Sequence, residues 1–222
     1  MTTNESSSIA SPTNQRESYL IQTILKGEPE NAALVASEMS KQNKESNEVI
    51  DVISEAMNIA TDLHDVEKYS SEQLEKCEKA AESALDALKG RIRIEQKKIH
   101  GRVMVASLAA DPHSFQRTLM LTMLKACGFT PIDGGAELTP AQFAEAVKSH
   151  KPDALAVPIL TREAAEQLLS AIPIIRSSHK KTGIVVFGRG AQTLSLPAEY
   201  CTVEQDSMSA VSRVTELLIS KD

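Results

Sequence analysis

Two kinds of hydrophobic pattern divide this chain into an N-terminal and a C-terminal part. From Ser18 to about Leu88, apolar residues recur at steps of three and four, and the sequence is rich in Ala, Glu, Lys and Leu. This period is typical of amphipathic helices that pack against one another. Gly27 indicates the end of a first helix and Pro29 the beginning of the next. The pattern predicts a small bundle of about four short helices.

The period changes after Gly101. Short, nearly continuous apolar runs now alternate with helical patterns, as expected of buried parallel strands that are joined by helices. The strong strand candidates are Val103–Leu108, Ala154–Leu160 and Ile184–Phe187, and the weaker ones are Pro131–Asp133 and Cys201–Val203. The predicted helices are Ser114–Ala126, Pro140–Ser149, Glu163–Arg176 and Met208–Ile219. Right-handed connections between such strands give a doubly wound parallel sheet of the flavodoxin-like or Rossmann-like type.

These patterns predict the domain organisation. Residues 1–15 are polar and rich in Ser and Thr, which predicts a disordered N-terminal tail. Residues 16–90 form the helical domain, 91–101 a basic linker, and 102–222 the α/β domain. The fold class is therefore α followed by α/β.

Composition narrows the classes of partner. The chain has 222 residues and a formal net charge of -6, which argues against a nucleic-acid backbone as the main partner. No window approaches the ~20 apolar residues of a membrane helix, and no signal peptide is visible, so we expect no membrane partner. The three cysteines are scattered and form no CxxC pair. This favours a reducing cytoplasm and disfavours a zinc or iron–sulfur site.

The candidate chemistry lies at Asp111-Pro112-His113, directly after the first strong strand and before a helix. Such a loop lies at the carboxyl edge of the sheet, where open α/β folds bind ligands. His113 can present its imidazole to a metal-bearing cofactor, while Asp111 accepts a hydrogen bond from the other ring nitrogen and so fixes the tautomer. A surface position for His113 and a turn or helix-cap role for Asp111 are the simpler alternatives. Ser114 either caps the following helix or contacts the cofactor.

In the order and spacing of its segments, the chain resembles the corrinoid (cobalamin-binding) proteins of methyltransferase systems. These are similar to the cobalamin-binding region of methionine synthase. The segments that carry the resemblance, besides the Asp-x-His triplet, are Ala126–Phe129, Ile132–Gly135, Phe143–Val147 and Lys151–Asp153. In the helical part, Gly27 matches the glycine that ends the family's first helix, and Met57 through Tyr69 matches the stretch above the corrin ring. The resemblance implies cobalamin as the cofactor, with a helical cap above the ring.

The resemblance also implies a set of cofactor-binding residues, with His113 as the lower axial ligand of cobalt. The implied set is Asp111, His113, Ser114, Gln116, Val157, Ile159, Gly188 and Gly190.

Several of these positions depart from the family pattern. Gln116 replaces the motif glycine, so its side chain either clashes with the cofactor or points away and donates a hydrogen bond. Val157 replaces a serine that extends the histidine–aspartate relay, so the relay would stop at Asp111. Arg189 interrupts the glycine pair, and the cap is unusually polar at His64, Ser70 and Ser71.

The function implied by the resemblance is that of a carrier and not of a complete enzyme. Cobalt would accept a methyl group from a donor-side methyltransferase subunit and pass it to an acceptor-side subunit. Two alternatives remain open. The polar cap with His64 suggests a cobalamin-dependent regulatory or light-sensing module that acts through a protein partner. The substitutions at Gln116, Val157 and Arg189 suggest a scaffold that keeps the fold without its cofactor.

Overall fold

The structure, a computed structural model, describes residues 12–41, 46–88, 101–111, 115–193 and 195–219. These residues fall into two compact units, a helical unit that ends at Leu88 and an α/β unit that begins at Gly101. Most of the predicted linker, 91–101, lies outside the described residues, as does the N-terminal tail up to residue 11.

The helical unit consists of four helices. They are α1 (Pro12–Lys26), α2 (Pro29–Lys41), α3 (Ser46–Asp65) and α4 (Ser71–Leu88). The apolar stripes seen in the sequence are buried, with Leu20, Ile24, Met39, Ile53 and Leu85 among the enclosed side chains. Helix α1 overlaps the predicted tail, since it begins at Pro12. Proline suits the first position of a helix because it lacks the N–H that would be left unpaired there.

Gly27 ends α1 for two physical reasons. Its φ of +70° lies in the left-handed region that glycine adopts without strain. The amides of Gly27 and Glu28 donate to the carbonyls of Ile24 and Thr23, which closes the helix end. A Cβ at Gly27 would lie 2.5 Å from the Cβ of Lys76, so α4 also passes too close for any side chain.

The α/β unit alternates strands and helices as predicted. Its elements are β1 (Arg102–Leu108), α5 (Phe115–Ala126), β2 (Thr130–Leu138), α6 (Pro140–His150), β3 (Ala154–Pro158), α7 (Arg162–Ser178), β4 (Gly183–Phe187), β5 (Cys201–Glu204) and α8 (Ser207–Ile219). A short 3₁₀ turn, Arg189–Gln192, follows β4. The five strands are parallel and lie in the order β2-β1-β3-β4-β5. The winding direction reverses between β1 and β3, which makes that point the topological switch of the sheet.

Strand β2 is longer than the predicted Pro131–Asp133. It continues past two glycines, and its pairing with β1 slips in register after Val105. A Cβ at Gly134 would lie 2.9 Å from the Cβ of Ala106, so glycine is what permits the close approach of the two strands. Gly134 and Gly135 are therefore part of an irregular continuation of the strand.

The two faces of the sheet are covered by different helices. Met104, Ala106 and Leu108 belong to a hydrophobic cluster with side chains of α6 and α7. Because side chains alternate along a strand, Val105 and Ser107 point to the opposite face, which α5 and α8 cover.

Arg176 joins the elements at the amino edge of the sheet. Its Nη1 donates to the carbonyls of His179, Lys180 and Thr182 at 3.2, 3.1 and 2.7 Å. Its Nη2 donates to the carbonyl of Tyr200 at 2.9 Å, and the guanidinium lies 5.2 Å from the Tyr200 ring centre. One side chain therefore connects the end of α7 to the segments that lead into β4 and β5.

We expect Arg176→Lys to lower the free energy of unfolding by about 2 kcal/mol, because an ammonium group cannot reach four separated carbonyls. The chain has no Trp, so urea unfolding is followed by far-ultraviolet circular dichroism. Arg162→Lys is the matched control, since Arg162 makes an exposed pair with Glu166 that is worth about 0.5 kcal/mol or less. An equal decrease in the free energy of unfolding in the two variants would contradict the role given to Arg176.

Candidate functional site

The candidate site lies at the carboxyl edge of the sheet, where β1 and β3 end side by side. Two short segments meet there, Ala109–Asp111 after β1 and Ile159–Thr161 after β3. We call them the switch-point loops. The chain runs on from Asp111 into Pro112, His113 and Ser114, and these three residues lie outside the described part of the chain.

Asp111 is the centre of this arrangement. The residue is 1 % exposed, and its Oδ2 accepts a hydrogen bond from the amide of Leu160 at 2.7 Å. Burying a carboxylate is costly unless donors satisfy it, and a bond to an ionised acceptor is among the stronger ones. The amide of Asp111 donates to the carbonyl of Leu108 at 2.9 Å. The residue two places before His113 is therefore fixed to β1 and to the segment after β3.

The donor to Asp111 could not be identified from residue types. The family resemblance implies a serine at the position of Val157, whose apolar side chain cannot donate. Val157 and Ile159 are both fully buried in the hydrophobic cluster on the α6 and α7 side. The backbone amide of Leu160 makes the bond instead, and every residue type other than proline offers such an amide.

Gly188 and Gly190 let the turn after β4 pack directly on a switch-point loop. Gly188 has a φ of +101°, and a Cβ there would lie 2.8 Å from the carbonyl oxygen of Ile159. A Cβ at Gly190 would lie 2.6 Å from the carbonyl carbon of Leu160 and from the amide of Thr161. Protein backbone thus fills the space beside both glycines, and packing alone accounts for them. Their contact with a cofactor stays a prediction.

Gln116 points across to α8. Its Oε1 accepts a hydrogen bond from the Ser207 hydroxyl at 2.9 Å, which joins the first turn of α5 to the first residue of α8. Asp206 caps α8, as its Oδ1 accepts from the amide of Ser209 at 2.8 Å. The Gln116 side chain therefore has a partner within the protein, and its relation to a cofactor stays a prediction.

Ser107 offers a polar group that the described protein leaves unsatisfied. Its hydroxyl is buried near the end of β1, on the α5 and α8 face, with no hydrogen-bond partner within the described ranges. Buried hydroxyls are nearly always paired, so such an atom suits a polar group of a ligand at the edge of the sheet. On this observation the end of β1 fits a bound cofactor through a polar contact at Ser107, while the glycines give no support either way.

The described residues hold no group of three or more His, Cys, Asp or Glu that could bind a bare metal ion. A metal that arrives inside a macrocycle needs only one ligand from the protein. The buried thiol of Cys201 is unsuited to the task. Burial raises the pKa of Cys201 to about 11, which keeps this thiol protonated at neutral pH.

The helical unit has a separate feature at the connection between α3 and α4. A surface depression of about 690 Å³ is lined by His64, Asp65, Glu67, Lys68, Tyr69, Ser70 and Ser71. His64 Nε2 lies 3.3 Å from the Ser71 hydroxyl, and the Tyr69 hydroxyl donates to the carbonyl of Leu25 at 3.2 Å. The polar residues singled out in the predicted cap therefore line one depression, whereas Met57 is buried in the helical core.

Comparisons with known proteins identify the fold. No family model matches the chain. No curated protein matches its sequence. Among solved structures, the monomethylamine corrinoid protein of Methanosarcina barkeri superposes with a TM-score of 0.79, over 92% of this chain and 99% of that one, at 16% identity. The chain has the fold of corrinoid proteins. The predicted fold class is confirmed, down to the helical part that precedes a five-stranded parallel sheet.

Two other structures are similar at lower TM-scores. The methanol:cobalamin methyltransferase complex of Methanosarcina barkeri gives 0.48, at 16% identity over 94% of this chain and 81% of that chain. A cobalamin-binding protein from Desulfitobacterium hafniense DCB-2 gives 0.46, at 13% identity over 90% of this chain and 98% of that chain.

Across the described segments, the helices are too short or too polar to span a bilayer.

Asp111→Asn tests the buried bond directly. An amide oxygen is a weaker acceptor than a carboxylate, so we expect the free energy of unfolding to fall by about 1–2 kcal/mol in urea titrations. Asp153→Asn is the matched control, because Asp153 Oδ2 also accepts from a backbone amide, that of Arg102 at 2.8 Å, but in an exposed position. A loss at Asp153 as large as that at Asp111 would mean that burial adds nothing to the Asp111 bond.

Proposed function

We propose that this chain is a corrinoid carrier that binds cobalamin with His113 below the cobalt. It would transfer a methyl group from a donor-side methyltransferase subunit to an acceptor-side subunit. The observation that carries the proposal is the buried carboxylate of Asp111, held by the Leu160 amide two residues before a histidine. A carboxylate in that setting is the partner that a metal-ligating imidazole needs on its second nitrogen.

The roles of the residues follow from this arrangement. Asp111 would accept the ring N–H of His113, which keeps the other nitrogen unprotonated and aimed at the metal. Leu160 holds the carboxylate in place through its amide. Ser107 would donate its buried hydroxyl to a polar group of the cofactor. The corrinoid itself supplies the chemistry, since its cobalt can bond and release a methyl group.

The carrier role is favoured over that of a complete enzyme by what the described residues contain. Beyond the switch-point loops, the titratable groups of the α/β unit lie mostly at its surface, and the buried thiol of Cys201 is held protonated. A protein of this kind would depend on partner subunits for the binding of methyl donor and acceptor. The similar structure that superposes over most of this chain is itself a corrinoid protein.

One specific observation favours a second candidate, a scaffold with this fold and no cofactor. The Gln116 and Ser207 side chains are hydrogen-bonded to each other between α5 and α8. A chain that has replaced cofactor contacts with internal ones would look like this on that side of the sheet.

A single loading experiment separates the two candidates. The protein is incubated with hydroxocobalamin, desalted, and examined by ultraviolet–visible spectroscopy, with methylcobalamin and adenosylcobalamin tested in parallel. We expect retained cobalamin and a spectrum that changes in His113→Ala, because that variant lacks the imidazole. His150→Ala is the matched control, since His150 is exposed at the end of α6 and should leave the spectrum unchanged.

The possible outcomes are distinct. Retention with the same spectrum in His113→Ala would exclude His113 as the ligand while keeping cobalamin binding. No retention of any of the three cobalamins would reject the carrier and favour the scaffold.

A further inference from the structure

We infer that Thr161 and Gln167 are positioning residues for His113, because together they hold both polar groups of the Ala110 backbone. This inference rests on the proposed function. Neither side chain is expected to touch the cofactor. Their effect would pass through the backbone of the switch-point loop that leads to the ligand.

Both contacts to Ala110 come from α7, one from its N-cap residue and one from within the helix. The Thr161 hydroxyl donates to the carbonyl of Ala110 at 2.9 Å. The amide of Ala110 donates to Oε1 of Gln167 at 3.3 Å. The neighbouring amide of Ala109 donates to the carbonyl of Leu138 at 3.0 Å. The loop after β1 is thus bonded on one side to α7 and on the other to the end of β2.

Thr161 is well suited to fix an orientation. It is the N-cap of α7, and its hydroxyl accepts from the amide of Ala164 at 3.1 Å while donating to Ala110. A hydroxyl that donates one hydrogen bond and accepts another is fixed in its orientation about the Cβ–O bond. The cap of α7 and the position of the β1 loop are therefore set by the same atom.

Helix α7 is a rigid support for these two contacts. Its inner face, including Leu168, Ile172 and Ile175, lies in the hydrophobic cluster under the sheet. Close packing of this kind allows little displacement of the helix. The hydrogen bonds from Thr161 and Gln167 therefore connect the loop to a part of the molecule that stays in place.

Only Asp111 and Pro112 separate Ala110 from His113 in the sequence. Asp111 is fixed by its bond to Leu160 and precedes a proline, which restricts its backbone further. Proline itself has a φ locked by its ring. A change in the orientation of the Ala110 peptide would consequently be transmitted to His113. Loss of either α7 contact should lower the fraction of cobalt that is bound by the imidazole, although neither substitution removes a side chain that touches the cofactor.

The test uses the full chain loaded with cobalamin and reduced to Co(II). Electron paramagnetic resonance then distinguishes cobalt with an axial nitrogen from cobalt without one. Thr161→Val and Gln167→Met remove the two contacts at nearly constant volume, and Thr161→Ser and Gln167→Glu keep the hydroxyl and the acceptor. We expect the ratio of ligated to unligated cobalt to fall about tenfold in the first pair, as for one lost hydrogen bond, and to stay within about twofold in the second pair.

A control separates positioning from general destabilisation. Arg176→Lys weakens the fold at the amino edge, the opposite end of the sheet, and should leave the ratio unchanged. Should it lower the ratio as much as Thr161→Val does, or should both Thr161→Val and Gln167→Met match wild type, the inference is overturned. If Thr161→Val does not fold, Gln167→Met decides alone. Wild-type protein that binds cobalamin without an axial nitrogen would refute the proposed function, and the inference with it.

Discussion

The hydrogen bond from the Leu160 amide to the buried carboxylate of Asp111 is the contact on which the candidate site depends. It joins two segments that are 49 residues apart in sequence and adjacent only because β1 and β3 pair in parallel. The sheet makes the bond possible, and the bond holds the end of β1 in one orientation. A carboxylate that is 1 % exposed has little to stabilise it except such donors.

The rest of the site is organised around these two loops. The turn after β4 packs on the loop after β3 through Gly188 and Gly190, so the loop that bonds Asp111 is itself supported from behind. Helix α7 begins in the same loop and holds Ala110. On the other face, Gln116 joins α5 to α8 through Ser207. A rigid support is what precise placement of a metal-ligating side chain requires.

The hydrophobic period predicted the fold well, because helices and buried strands differ in spacing and because Gly27 and Pro29 mark helix boundaries by their chemistry. Strand β2 extends beyond the predicted Pro131–Asp133, because Gly134 permits a close approach to Ala106. The position of Asp111 was also predicted. The Leu160 amide and the Gln116–Ser207 bond were not, because backbone groups carry no residue signature and distant side-chain pairs depend on the folded geometry. The predicted ligand His113 and its neighbour Ser114 lie outside the described residues.

In the proposed function, the Asp111 loop presents His113 to cobalt. Its most direct test is electron paramagnetic resonance of the Co(II)-cobalamin complex, prepared once with ordinary protein and once with protein whose histidines carry ¹⁵N. Nitrogen bound axially to Co(II) splits each cobalt line into three for ¹⁴N and into two for ¹⁵N. With His113 as the ligand, labelling changes the splitting from three to two, and His113→Ala abolishes it. A splitting that stays threefold after labelling would show that the axial nitrogen does not come from a histidine, and would exclude His113 as the ligand.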